Sequence, residues 1–300
     1  MELRQLSHFV AVAEELSFTR AARRVNIVQS GISASVAALE RELKVELFRR
    51  SKHGVELTES GRALLAQARG ALSAVASGVA AAQAAQGSLT GALRITTIST
   101  LPRRIQLARV LNEFHIANPN VAISVEEMRG RSFDELRAGE FDLAIIPGHG
   151  PPGIASIDLE HCELALFCAE GHPLASRRHV TIDALTDEPF VEVSGGAWTR
   201  TLVDRAFDDA GLQRRSVAEA SSLLLLLALI EQGVGVSILP DFAMQYAQRA
   251  AFIPLRPSID WTITASFVGA EPANPAARAF LDALTRGPIE RRREPRPTPH

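Results

Sequence analysis

Lysine is almost missing from this chain of 300 residues: Lys44 and Lys52 are the only two, and arginine carries the remaining basic charge. The C-terminal two thirds therefore hold no amine for Schiff-base catalysis. G-x-S-x-G, H-E-x-x-H and P-loop patterns are also absent. Gly233-Val-Gly235 lacks a third glycine and runs from a helix into a strand, the reverse of a dinucleotide fingerprint. The eight histidines show no metal-ligand spacing. Cys162 and Cys168 are the only cysteines. On one extended strand they would stand about 20 Å apart, beyond the ~7 Å Cα separation of a disulfide, so buried thiols are expected rather than a redox pair. There is no basic-then-apolar leader and no apolar run near twenty residues, and Leu223 to Leu229 is too short to span a bilayer. The expectation is a soluble cytoplasmic protein with no membrane partner, no enzymatic activity, no cofactor and no metal.

The chain's length suggests about two domains, and 46% hydrophobic residues suffice for buried cores. With a formal net charge of −2, any nucleic-acid footprint must be local. The N-terminal segment supplies one. Leu6, Phe9, Val10, Ala13 and Leu16 form the apolar stripe of a first helix. Phe18, Ala21, Ala22 and Val25, then Ile32, Val36, Leu39 and Leu43, predict two short helices joined by a turn. Ser17 and Thr19 offer capping oxygens, and Ala21, Ala22, Ala34, Ala37 and Ala38 predict close helix packing. The outward positions Gln29, Ser30, Ser33, Ser35 and Arg41 are suited to base edges in a major groove. Arg49, Arg50, Lys52 and His53 precede Gly54 and Val55 to Leu57, predicting a basic wing for phosphates.

From Thr58 to about Gln86 a long helix carries Leu65, Ala68, Leu72, Val75, Val79, Ala82 and Gln86 at coiled-coil spacing, interrupted by Gly70 and Gly78. It predicts dimerisation, with GSLTG at Gly87 to Gly91 as a hinge. Strands then alternate with helices. The strands are placed at Leu93 to Ile98, Val121 to Glu126, Leu143 to Ile146, Leu164 to Cys168, Phe190 to Val193, Val236 to Leu239 and Trp261 to Val268. Helices are placed from Pro102, over Ser132 to Ala138, Trp198 to Ala210, Ser222 to Gln232, and Asn274 to Arg286. The proline- and arginine-rich tail 287–300 is expected to be disordered.

The N-terminal part resembles the DNA-binding domain of the LysR-type transcriptional regulators. The resemblance rests on Leu3, Phe9, Ala21, Ala22, Gln29, Ser33, Leu39, Glu40, Leu43, Leu47, Phe48, Arg50, Leu57, Thr58 and Gly61. Two residues depart from that pattern: Gly31 inside the recognition helix, and Lys44 where glycine usually follows it. GALRI at Gly91, EFDLAII at Glu140, GHPLA at Gly171 and EQGVGVSILP at Glu231 resemble the same family's effector domain. The fold implied is α/β with an N-terminal all-α winged helix-turn-helix (1–60), a linker helix and hinge (61–90), and an effector domain (91–286). That last part would be two-subdomain and similar to periplasmic binding proteins, with 92–161 and 269–286 in the first subdomain and 162–268 in the second.

The candidate DNA-binding residues are Thr19, Gln29, Ser30, Ser33, Ser35, Arg49, Arg50 and Lys52. The candidate effector-binding residues are Ser99, Thr100, Leu101, Arg129, Gly130, Pro147, Trp198, Thr199, Arg200, Ser221 and Ser222, at strand ends and helix starts facing one cleft. The expected effector is a small carboxylate or similar anion, neutral ligands staying open. The partners implied are double-stranded DNA, that effector, further copies in a homodimer or homotetramer, and RNA polymerase. The alternative reading is a solute-binding module whose N-terminus serves only assembly.

Overall fold

The computed structural model describes residues 1–51, 54–85, 88–128, 133–194 and 198–286, without the side chains of Arg50 and Ser51. Helices α1 (Leu3–Glu15), α2 (Phe18–Arg24) and α3 (Gln29–Leu43) precede a hairpin, β1 (Phe48–Ser51) and β2 (Gly54–Leu57), and helix α4 (Glu59–Ala84). Ser17 rather than Thr19 caps α2, its hydroxyl accepting from the Arg20 amide at 3.3 Å. Phe9, Val12, Ile32, Val36, Leu39 and Leu47 are buried together, and Phe48 meets the rings of Phe9 and Phe18 at 5.4 and 5.7 Å. Glu40 of α3 seats the wing, because one carboxylate oxygen accepts from the amides of Leu47 (2.8 Å) and Phe48 (3.2 Å). Lys44 takes the left-handed conformation at φ 57° in spite of its side chain, with Val45 N–H closing onto the Glu40 carbonyl. Ala21 and Ala22 are buried between helices as expected, whereas Ala34 and Ala37 face outward.

The long helix departs from the expected seam. Ala68 is buried, and Leu65 and Leu72 pack beside it onto the chain's own N-terminal core. The half that stays open carries Val75 (44% exposed) and Val79 (54%). By length and composition alone α4 is apolar enough to cross a membrane, although Gln67, Arg69, Ser73 and Ser77 interrupt it and Leu65, Ala68 and Leu72 pack onto the N-terminal core. Gln86 lies outside the described residues.

The remaining elements are β3 (Gly91–Thr97), α5 (Leu107–Ala117), β4 (Val121–Glu127), α6 (Asp134–Arg137), β5 (Leu143–Pro147) and β6 (Ile154–Ala169). They continue with β7 (Pro189–Val193), α7 (Trp198–Asp209), β8 (Arg215–Ala220), α8 (Leu223–Glu231), β9 (Ser237–Pro240), β10 (Ala250–Pro254), β11 (Asp260–Val268) and α9 (Pro275–Arg286). Strands β4, β3 and β5 are parallel, and β11 adds antiparallel beside β5. Strand β6 begins far earlier than the expected Leu164. Its first half pairs with β11 and its second half with β9 and β10, so one strand runs through both subdomains. The expected boundary at residue 162 therefore falls inside a strand. The return to the first subdomain comes with β11, at Asp260 rather than residue 269. The parallel pair β7–β8 completes the second subdomain, with β8 and β10 unforeseen.

Candidate functional site

On the DNA-binding side, Ser30, Ala34, Ala37 and Arg41 recur at helical spacing along the exposed face of α3. Gln29 is exposed at the helix start, and its Nε2 donates to Ser33 Oγ at 2.8 Å. That contact joins two expected reading residues into one polar unit. Ser35 is different: its hydroxyl sits 2.8 Å from His8 Nδ1 and is turned toward α1. Burial, then the nearby Arg4 charge, holds the His8 pKa below its ordinary value. Thr19 is exposed in the first turn of α2, and Arg49 is exposed on β1 opposite Glu56. Arg50 lies opposite Val55, while Lys52 is outside the described residues. Ala34 and Ala37 were missed as outward positions because alanine fits a helix contact and a groove surface equally well.

A cavity of about 360 Å³ opens between the two subdomains. Ser99, Thr100, Pro147, Trp198, Thr199, Ser221 and Ser222 all line it. Leu101 does not: its carbonyl accepts from Tyr246 Oη at 3.0 Å, fastening the β3 loop to the second subdomain. Arg129 and Gly130 lie outside the described residues. Arg200 is engaged elsewhere, donating to Asp204 at 2.9 Å and to the Val193 carbonyl at 3.3 Å, with Glu192 at 3.5 Å. Arg214 joins this network through Glu192 and Asp204. Burial alone would raise the Asp204 pKa, but the hydrogen bonds and charges of Arg214 and Arg200 outweigh it and lower the pKa.

The helix expected after Ser99 and Thr100 is also displaced. Pro102 leads only into a single 3-10 turn, Arg103–Ile105, and Gln106 at φ 52° breaks the chain before α5 begins at Leu107. Helix starts reach the cavity from the opposite subdomain, through Trp198 and Thr199 of α7 and Leu223 of α8. Ser222 precedes α8 without a side-chain cap bond, so its hydroxyl is available to the cavity. Glu127, Phe242 and Trp261 also line the space and had no local signal to mark them; only the pairing of β11 carries Trp261 there. Trp198 and Trp261 each hold a buried indole N–H without a hydrogen-bond partner.

Cys162 and Cys168 are both buried on β6. Burial, with the charges of Asp241 and Glu160, pushes the Cys162 thiol up to about 12. Burial and Glu188 push Cys168 up to about 11. Both remain protonated thiols at neutral pH, poor nucleophiles for redox signalling.

Residues 3–62 match the bacterial regulatory helix-turn-helix protein family of lysR type, and residues 86–288 match the LysR substrate binding domain. The HTH-type transcriptional regulator AlsR of Bacillus subtilis is 34% identical, covering 81% of this chain and 82% of AlsR. A full-length OxyR variant from Pseudomonas aeruginosa superposes with a TM-score of 0.76 at 26% identity, covering 95% of both chains. Full-length CbnR complexed with its target DNA gives 0.61 at 25% identity, covering 95% of this chain and 99% of CbnR. With a helix-turn-helix at one end and a two-lobed binding domain at the other, the chain belongs to the LysR family of DNA-binding transcriptional regulators, proteins that act as regulators and not as enzymes.

Proposed function

We propose that this regulator reads an operator through the outward face of α3 and changes its DNA binding when a small effector bearing a carboxylate or similar anionic group enters the inter-lobe cavity. The exposed stripe Ser30, Ala34, Ala37 and Arg41, beside the Gln29–Ser33 pair, supports base reading. Its methyl groups suit thymine and its polar groups suit base edges. Thr19, Arg49, Arg50 and Lys52 are assigned to phosphates, which set affinity and salt dependence rather than sequence. The exposed Val75–Val79 face of α4 is assigned to the same face of a second copy, giving a two-fold reader that acts in the cytoplasm.

The observation that carries the effector reading is the cavity itself, with hydroxyls and two helix starts gathered around it. An anion held there would rest on N–H and O–H donors, since no described cation lines the space. The test is selection of genomic duplex fragments by the full-length chain, followed by footprinting with and without the effector that shifts the pattern. Gln29→Ala should lose roughly 1–3 kcal/mol of discrimination between sites, and Thr100→Val should keep DNA affinity while losing the effector response. An undiminished response in Thr100→Val would place the effector elsewhere.

A further inference from the structure

The walls of the effector cavity differ in chemical sign. On the side of the second subdomain stand the starts of α7 and α8, with Thr199, Ser221 and Ser222, all hydrogen-bond donors. Trp261 of β11 also lines the cavity, and the residue is only 4% exposed. On the other side is Glu127, the last residue of β4 and the sole ionisable group among the described lining residues. Most of the remaining surface is apolar, including Met128, Leu226 and Phe242.

A dicarboxylate or phosphate would bring like charge against Glu127 with no described cation lining the cavity to offset it. A simple carboxylate would satisfy the donors but make no use of the Glu127 carboxylate, which is exposed at the cavity's edge. We propose that the effector is amphoteric: a small apolar amino acid, or an amino-carboxylate of that size. Its carboxylate lies at the starts of α7 and α8, and its ammonium faces Glu127. The assignment rests on the cavity being the effector site.

The test is calorimetry on the full-length protein with two matched probe sets. One is L-phenylalanine, 3-phenylpropanoate and 2-phenylethylamine; the other is L-leucine, 4-methylpentanoate and 3-methylbutylamine. At least one amino acid should bind, with its des-amino acid and its decarboxylated amine each weaker by about tenfold or more, the loss of one charge-assisted contact. Glu127→Gln should erase the gap between amino acid and des-amino acid. Glu126→Gln should preserve it, because Glu126 lines a different cavity next to α4. Acids that bind as tightly as the amino acids, or a gap that survives Glu127→Gln, would overturn the amphoteric assignment and leave an anion-binding effector site standing. Silence from both amino acids also overturns it, and the cavity's own role is then decided by the Thr100→Val footprint.

Discussion

Replacing Arg69 with methionine tests how the DNA-binding part is held against the effector domain. Arg69 projects from α4 between two carboxylates of different domains. Its Nε and Nη2 donate to Glu14 of α1 at 3.2 and 3.1 Å, and Nη1 is bonded to Glu140 of the effector domain. Beside it Gly139, at φ 66°, lies against α4. A Cβ there would come within 2.9 Å of Ser73 Cβ and 3.1 Å of Gly70 Cα, so the two backbones are in close approach. Arg94 adds a bond to Ser73 Oγ at 2.8 Å.

Arg69, Glu14 and Glu140 are 22%, 26% and 28% exposed, and Glu14 keeps a second partner in Arg24 at 2.6 Å. They stand between a surface pair worth up to ~1 kcal/mol and a buried one that costs ~3–5 kcal/mol to break. Discounting for solvent gives about 1–2 kcal/mol, or roughly a 5–30-fold shift toward undocked domains. Methionine keeps the stem's packing, so neither domain should unfold. Hydrogen exchange at 139–142 and in the middle of α4 should quicken together. Raised salt should reproduce part of the effect in the parent and little in the variant. Unchanged exchange at both segments would refute the reasoning and leave the docking to the Gly70–Gly139 contact alone.

Two glycines predict opposite outcomes. Gly61→Ala places a Cβ 2.2 Å from the Leu47 carbonyl oxygen and should cost about 1–3 kcal/mol in chemical denaturation. Gly31→Ala meets Val28 Cγ2 at an ordinary 3.6 Å and should stabilise by about 0.5–1 kcal/mol. Val79→Asp charges the open face of α4, and sedimentation should show smaller species; an unchanged oligomer would move the interface. His8 has a lowered folded pKa, so its contribution is complete above the ordinary 6.5 and is lost as pH falls through the folded value. Urea unfolding from about pH 7.5 to about pH 5 should weaken more steeply for the parent than for His8→Gln.

The winged helix-turn-helix part was legible because its signals are local. Helix periodicity, the Ser17 cap and the glycine at the wing turn each act within a few residues, and they place α1 to α3 and the hairpin nearly as expected. The inward packing of part of the expected α4 seam was not legible for the opposite reason. Leu65, Ala68 and Leu72 satisfy coiled-coil spacing whichever surface they face, and only the packing of α1 decides that they turn inward. Strand β6 was half missed because its early portion, with Asp158, Glu160, His161 and Glu163 among apolar residues, is ordered chiefly by pairing with β11, far along the chain.

The cavity sharpens the same distinction between residue type and residue partner. Serines and threonines were sought there at strand ends, and Ser99, Thr100, Thr199, Ser221 and Ser222 do line the cavity, though short hydroxyls cap, turn or bind with the same side chain. Arg200 was sought there for its charge, and charge is what removed it. Glu192, buried at 4% exposure, needs compensation, and Arg214 and Arg200 gather around it and Asp204 instead of facing a ligand. A guanidinium one turn into α7 is as close in sequence to the cavity as Trp198, but the helix carries it to the other face. On the reading proposed above, a ligand in the cavity would meet hydroxyls and helix starts, with Glu127 the one ionisable group among the described lining residues. Where a buried carboxylate lies within reach of a candidate binding arginine, the carboxylate has the prior claim, because its unpaired burial costs more than leaving a solvent-filled site without a cation.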